Sequence, residues 1–333
     1  METMRDPGAS HDEESVLGYE QTVPRALVHR WSLSEVFLTG ICNLDAEHFT
    51  ATAQLPLSHA YYGDHLGGQH RYDPLLVLET GRQAVTAAAH MNQGAPPDTT
   101  FMVTSWSLHI THPDTLTCGK KPGELHIDGT VTDRFERGGR LRRLGFAMEL
   151  MLDGATAGRL TMLISCTPTN QYHALRRMQR GSEVPTAFTV PTDPAGEPVL
   201  PGTLQRLDPR NVVLDDARCT ESGAEAVLSP RSLRNRSMYD HPYDHVPGMV
   251  FTEAARQCAT ALLPRLGDDR DAPDTPTTAP TILRIDGKFE KFAELDAPVH
   301  LTLRPKPEEG LGSYVMTARQ SEADVAEVSV LFA

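Results

Sequence analysis

The sequence offers neither a cysteine framework nor a metal-binding spacing. Its five cysteines, Cys42, Cys118, Cys166, Cys219 and Cys258, are odd in number, widely spaced and without a CxxC pair. That pattern suits reduced thiols and provides no zinc site. No apolar run approaches the roughly 20 residues that span a bilayer. The N-terminal METMRDPGASHDEES lacks the apolar core of a signal peptide. A soluble, cytoplasmic protein with no membrane partner is expected. Positive charge is also scarce: 31 Lys and Arg stand against 44 Asp and Glu, a net charge of −13. Nucleic-acid binding needs a basic face, so no nucleic acid is expected as a partner. The acidity reads as solvated surface, and 333 residues suffice for two domains of ordinary size.

What the chain does contain is a copy of itself. ETGRQAVTAA begins at Glu79 and EAARQCATAL at Glu253, an offset of 253 − 79 = 174 that keeps Glu, Arg, Gln, Thr and Ala in step. Each copy follows a segment rich in His, Asp, Tyr and Gly, YYGDHLGGQHRYDP before the first and MYDHPYDHVPG before the second. Both read as helices with marked starts: Asp73 as N-cap with Pro74 at the first helical position, and Pro247 in the proline role of the second. Small residues dominate their interiors, so each helix can lie close against a sheet. Gly81 costs about 1 kcal/mol of helix propensity, and close packing accounts for it.

Strand-like segments surround both helices. After the first come 101–110, 124–135, 141–152 and 158–166; after the second come 280–289, 299–305, 313–320 and 324–332, separated by turn signals. One candidate strand precedes each helix, at 35–41 and at 211–217. The expected fold is α+β, a double (tandem) hot-dog in which each repeat is an antiparallel sheet wrapped around a central helix. The expected boundaries are a disordered segment at 1–20, repeat one at 21–182, a Pro- and Gly-rich linker at 183–202 and repeat two at 203–333. A loose stretch at 267–280 reads as a surface loop.

HLGGQHRYDPLLVLE, with His65 and Glu79 79 − 65 = 14 apart, resembles a degenerate β-hydroxyacyl-ACP dehydratase signature, His-Phe-x-Gly-x-x-x-x-Pro-Gly followed by a helical acid. The second copy keeps Pro247, Gly248 and Glu253 and places Tyr239 at the position of the signature histidine. Over nearly the whole chain, LVHRWSLSEVFLT, the DHLGG…ETGRQA segment and NRSMYDHPYDHVPGMVFTEAARQ resemble the repeated blocks of the A-factor synthase (AfsA-like) family. That resemblance implies an acyltransferase joining a β-ketoacyl group, carried by acyl carrier protein, to dihydroxyacetone phosphate. The product would lead toward a γ-butyrolactone, butenolide or furan signalling molecule. No cofactor is expected, and the resemblance leaves room for a homodimer. A hot-dog thioesterase or dehydratase and a non-catalytic acyl-binding regulator are the alternatives.

Acyl transfer to a hydroxyl needs a donor for the carbonyl oxygen, a base and a grip on the acceptor. In the resembling dehydratases the Pro-Gly glycine offers its N–H at a helix start, a role open to Gly248 but not to Pro74, which has no N–H. The acid comes from the other helix, so Glu79 is the expected base opposite Gly248; its alternative is a local ion pair with Arg82. The mirror site, His65 with Glu253, is expected to be degenerate. Arg82 and Arg256 are candidates for the acceptor phosphate, or neutralise their neighbouring glutamates. His241 and His245, with Asp240 and Asp244, hint at metal but sit on a loop with Pro242 inside, so no metal is expected. A structural role is open to that cluster, and proton transfer is open to His245. Asp240 and Tyr239 are further candidates for contact with substrate.

Overall fold

A computed structural model describes residues 17–66, 70–266, 281–310 and 312–333. Most of the expected N-terminal segment and all of the 267–280 loop therefore lie outside the described residues.

Helix α1 (Pro74–Met91) begins where the sequence marks it: the Asp73 carboxylate accepts from the Leu75 N–H at 2.9 Å, and Pro74 takes the first position. Every residue of α1 except Arg82, His90 and Met91 is buried. A helix buried on all sides must be enclosed by sheet. Gly81 shows how closely: a Cβ there would fall 2.2 Å from Leu160 Cδ2. The second copy, α3 (Gly248–Leu266), starts one residue after Pro247.

Twelve strands form one antiparallel sheet. The first half comprises β1 (Leu38–Asn43), β2 (His48–Leu55), β3 (Thr99–Ile110), β4 (Gly123–Arg137), β5 (Arg140–Leu152) and β6 (Ala155–Pro168). The second comprises β7 (Leu214–Thr220), β8 (Gly223–Leu228), β9 (Ile282–Phe289), β10 (His300–Pro305), β11 (Ser313–Gln320) and β12 (Ala323–Phe332). Their spatial order, β1-β2-β4-β5-β6-β3-β9-β12-β11-β10-β8-β7, reads the same from either end once each strand is matched to its copy. The halves join at β3 and β9, where Trp106 lies opposite Gly287. This is the expected tandem arrangement, with two corrections. A hairpin, not the single strand expected at 35–41 and at 211–217, precedes each helix: β1 pairs with β2 and β7 with β8. A further helix, α2 (Thr169–Arg180), follows β6 and was also missed.

Each helix is tied to the lead-in of its hairpin by the same glutamine. Gln83 Oε1 accepts from the Phe37 N–H at 2.9 Å and its Nε2 donates to the Glu35 carbonyl at 2.7 Å. Gln257 repeats this with the Val213 N–H at 3.0 Å and the Asn211 carbonyl at 2.7 Å. These bonds satisfy backbone groups that would otherwise be buried without partners.

Candidate active site

Around each repeated glutamate the fold builds a buried ionic hub. Glu79 is held by Arg30 (Nη2–Oε1 2.6 Å), Arg82 (Nε–Oε2 and Nη2–Oε1, both 2.8 Å) and Gln83 (Nε2–Oε1 2.8 Å). Glu253 is held by Arg206 (Nη2–Oε1 2.7 Å), Arg256 (Nε–Oε2 2.8 Å) and Gln257, and it accepts from the Tyr61 hydroxyl at 2.9 Å. Arg30 and Arg206 are copies as well. Each follows a residue in the left-handed conformation, His29 (φ 53°) or Gln205 (φ 57°), at the end of a short 3-10 helix. Their offset is 206 − 30 = 176 rather than 174, so a search in step with the helices passes over them.

The surroundings of the two hubs differ. Asp73, at the α1 start, accepts from Arg256 Nη1 on both oxygens (2.8 and 2.7 Å), which together with Glu253 occupies that guanidinium. The residue 174 positions later is Pro247, which offers nothing to Arg82. Tyr61 fills the space beside Glu253, whereas its counterpart 176 positions on is the small Ser237. The first hub opens onto a cavity of about 1760 Å³, whose lining among the described residues includes Glu79 and Arg82 but neither Glu253 nor Arg256.

Glu79, Arg82, His241, His245 and Gly248 all line that cavity; Glu253, Arg256, His65 and Tyr239 do not. Helices α1 and α3 touch, and Glu79 of the one and Gly248 of the other line the same chamber. Gly248 is half-buried at the first position of α3, and a Cβ on it would lie 2.8 Å from both Phe289 and Trp106. Its N–H has no partner among the described residues.

Several expected roles change. Glu79 was expected to be the base. Burial raises its pKa, but Arg30, Arg82 and the hydrogen bonds from Arg82 and Gln83 outweigh that and bring it down to about 2. A carboxylate so firmly held is a poor proton acceptor; its task is to fix two guanidiniums. Arg256 is consumed by Asp73 and Glu253 and has no face on the cavity. His65 bonds the Tyr62 carbonyl at 3.1 Å and stands 3.8 Å from Asp73. Tyr239 is fully buried in the core.

The histidines of the 239–248 loop are the new centre of interest. His241 Nδ1 lies 2.6 Å from Asp240 Oδ1, and Asp240 in turn accepts from Arg30 Nη1 at 3.2 Å and the Trp31 N–H at 2.8 Å. Burial opposes the charge on Asp240, yet His241, Arg30 and the Trp31 N–H hold its carboxyl well below the usual range. His245 repeats the pairing with Asp244, again at 2.6 Å. Tyr172 and Arg176 of α2 brace that carboxylate at 2.7 and 3.2 Å. A ring nitrogen facing a carboxylate carries a proton, which leaves Nε2 of each ring as the nitrogen able to take one up. His29 also lines the cavity, stacked on Phe101 and 2.8 Å from His90. Burial, then His90 and Arg82, push its pKa down to about 4, which keeps it neutral. Among the described residues no cluster of three or more His, Cys, Asp or Glu has the arrangement of a metal site.

The model of the A-factor biosynthesis hotdog domain family, AfsA, matches residues 11–168 and again 189–333. The chain belongs to that family. A 2-oxo-3-(phosphooxy)propyl 3-oxoalkanoate synthase of Streptomyces virginiae is 33% identical over 287 residues, 86% of this chain and 88% of that protein. A protein of the same name from Streptomyces coelicolor is 28% identical over 321 residues, 94% of this chain and 92% of its own length. Like them, this AfsA-family chain is read as an acyl-transferring enzyme, and its two matched segments bracket the two halves of the sheet.

Proposed function

We propose that the cavity transfers a 3-oxoacyl group from a thioester, carried by acyl carrier protein, to the hydroxyl of dihydroxyacetone phosphate. The observation that carries this reading is the convergence in one chamber of an arginine with a spare face, a carboxylate-supported imidazole and an unpartnered helix-start N–H. Arg82 spends Nε and Nη2 on Glu79, while its Nη1 has no partner among the described residues. A guanidinium oriented in this way suits a phosphate oxygen. Glu79 supports it from behind.

His241 takes the proton of the acceptor hydroxyl. It is chosen over His245 because Asp240, Arg30 and Glu79 couple it to Arg82, which places base and phosphate grip in one network. The alkoxide attacks the thioester carbon, and the oxyanion is met by the Gly248 N–H, where the α3 dipole adds to the attraction. Collapse expels the thiolate, which regains the proton from the imidazolium, leaving an ester and a free thiol. Apolar walls that include Phe101, Val103, Met249 and Phe251 receive the acyl chain. All five cysteines are free, which supports a reducing cytoplasmic setting. Among the described residues no helix is long and apolar enough to cross a membrane.

The test is incubation with a 3-oxoacyl thioester with and without dihydroxyacetone phosphate. Ester formation that requires the acceptor supports the proposal. Thiol release that ignores the acceptor would make the protein a thioesterase instead.

A further inference from the structure

Trp106 lies at the seam of the two halves, in β3 opposite Gly287 of β9. Its ring lines the cavity although it is only 3% exposed, and it meets Phe289 edge to face at 4.8 Å. The indole Nε1 is one of two buried side-chain polar atoms among the described residues that have no hydrogen-bond partner. Buried donors are nearly always paired, so an orphan in a binding cavity calls for a reason. A phenylalanine would have filled this apolar wall without stranding an N–H, as Phe251 and Phe289 do beside it.

Two glycines make room for the indole. A Cβ on Gly248 would lie 2.8 Å from Trp106 Cη2, and a Cβ on Gly287 would lie 2.5 Å from Nε1. The ring thus runs from the carbonyl anchor at one edge to its own N–H at the other. An acyl chain whose thioester carbonyl sits on Gly248 carries its third carbon two bonds further along, beside that ring. We propose that Trp106 Nε1, once the half-buried Phe289 ring turns aside, donates a hydrogen bond to the 3-oxo oxygen of the acyl chain. Trp106 is then a specificity-determining residue that separates 3-oxoacyl from saturated acyl groups. The inference rests on the acyl-transfer reading only for the direction in which the chain lies.

The experiment measures binding rather than turnover, so that it does not depend on the acceptor. Thioether analogues of a medium-chain 3-oxoacyl pantetheine and of its saturated counterpart are titrated calorimetrically into the full chain. The wild type is expected to favour the 3-oxo analogue by roughly 2- to 10-fold, the range for one neutral hydrogen bond. Trp106→Phe should bind both analogues alike, with the saturated one nearly as tight as before. If that variant folds poorly, replacing Trp106 by benzothienylalanine keeps the shape and removes only the N–H, and the same loss of preference is expected. A preference that survives either replacement, or a wild type that binds both analogues equally, overturns the role of Trp106 and leaves the acyl-transfer reading intact. A wild type that binds neither analogue overturns both.

Discussion

The two halves of this molecule carry the same ionic hub, and only one of them leads anywhere. Arg30, Glu79, Arg82 and Gln83 repeat as Arg206, Glu253, Arg256 and Gln257, with matching hydrogen bonds to the segments that lead into each hairpin. In the second half Asp73 neutralises the arginine and Tyr61 fills the space; in the first, Pro247 and Ser237 stand at those positions. The hub is therefore a folding device shared by both copies. Function follows from what the neighbouring helix start and loop put in front of it.

The comparison can be broken most forcefully at the hubs themselves. Glu79→Ala and Glu253→Ala should each cost about 3–5 kcal/mol, the usual consequence of stranding a buried charge, read from urea unfolding with an unchanged m-value. Glu253→Ala should be the costlier, because Arg30 keeps Asp240 as a partner when Glu79 is removed, whereas buried Arg206 has no second carboxylate among the described residues. Equal and small losses would show that the hubs do not hold the helices. Next in size, His241→Asn should lower kcat by about 10²–10⁴-fold, the range for one general base. His65→Asn, beside Asp73 at the other hub, should leave kcat near the wild type; if it is the deader variant, the site has been assigned to the wrong half. If His245→Asn is slower than His241→Asn, the base lies at the other Asp–His pair.

A smaller effect should appear in acid. The folded pKa of Glu79, about 2, lies below its ordinary value of 4.5, and that of Glu253 is lowered too. Their ionised forms thus stabilise the fold fully above about pH 4.5, and this contribution is lost as pH falls toward 2. The thermal midpoint should fall across that window, and Glu79→Gln should flatten part of the slope. A variant with an unaltered acid limb would contradict the assigned ion pairing.

The sequence was informative where physics acts locally. Helix starts, the eight strands that follow the two helices and the inequality of Pro74 and Gly248 were all legible, because caps, alternation and a missing N–H are properties of short segments. Long-range pairing was not. Arg30 escaped notice because its copy lies two residues out of step with the helical repeat. Glu79 could not be read as an anchor without knowing that Arg30 reaches it from 49 residues away. Arg256 looked equivalent to Arg82 until Asp73 was seen to occupy it. Helix α2 has a marked end, with Arg177 and Arg180 in its last turn and Gly181 after it, but it buries only Tyr172 and Arg176, whose pairing with Asp244 and Glu294 is long-range.

The central claim is that one hub, not two, serves an acceptor site. Calorimetric titration of dihydroxyacetone phosphate tests it directly, with wild-type protein and Arg82→Ala side by side. One equivalent bound per chain is expected for the wild type and none for Arg82→Ala, with Arg82→Ala still folded by circular dichroism. Two equivalents per chain, or one that survives in a folded Arg82→Ala protein, would contradict it.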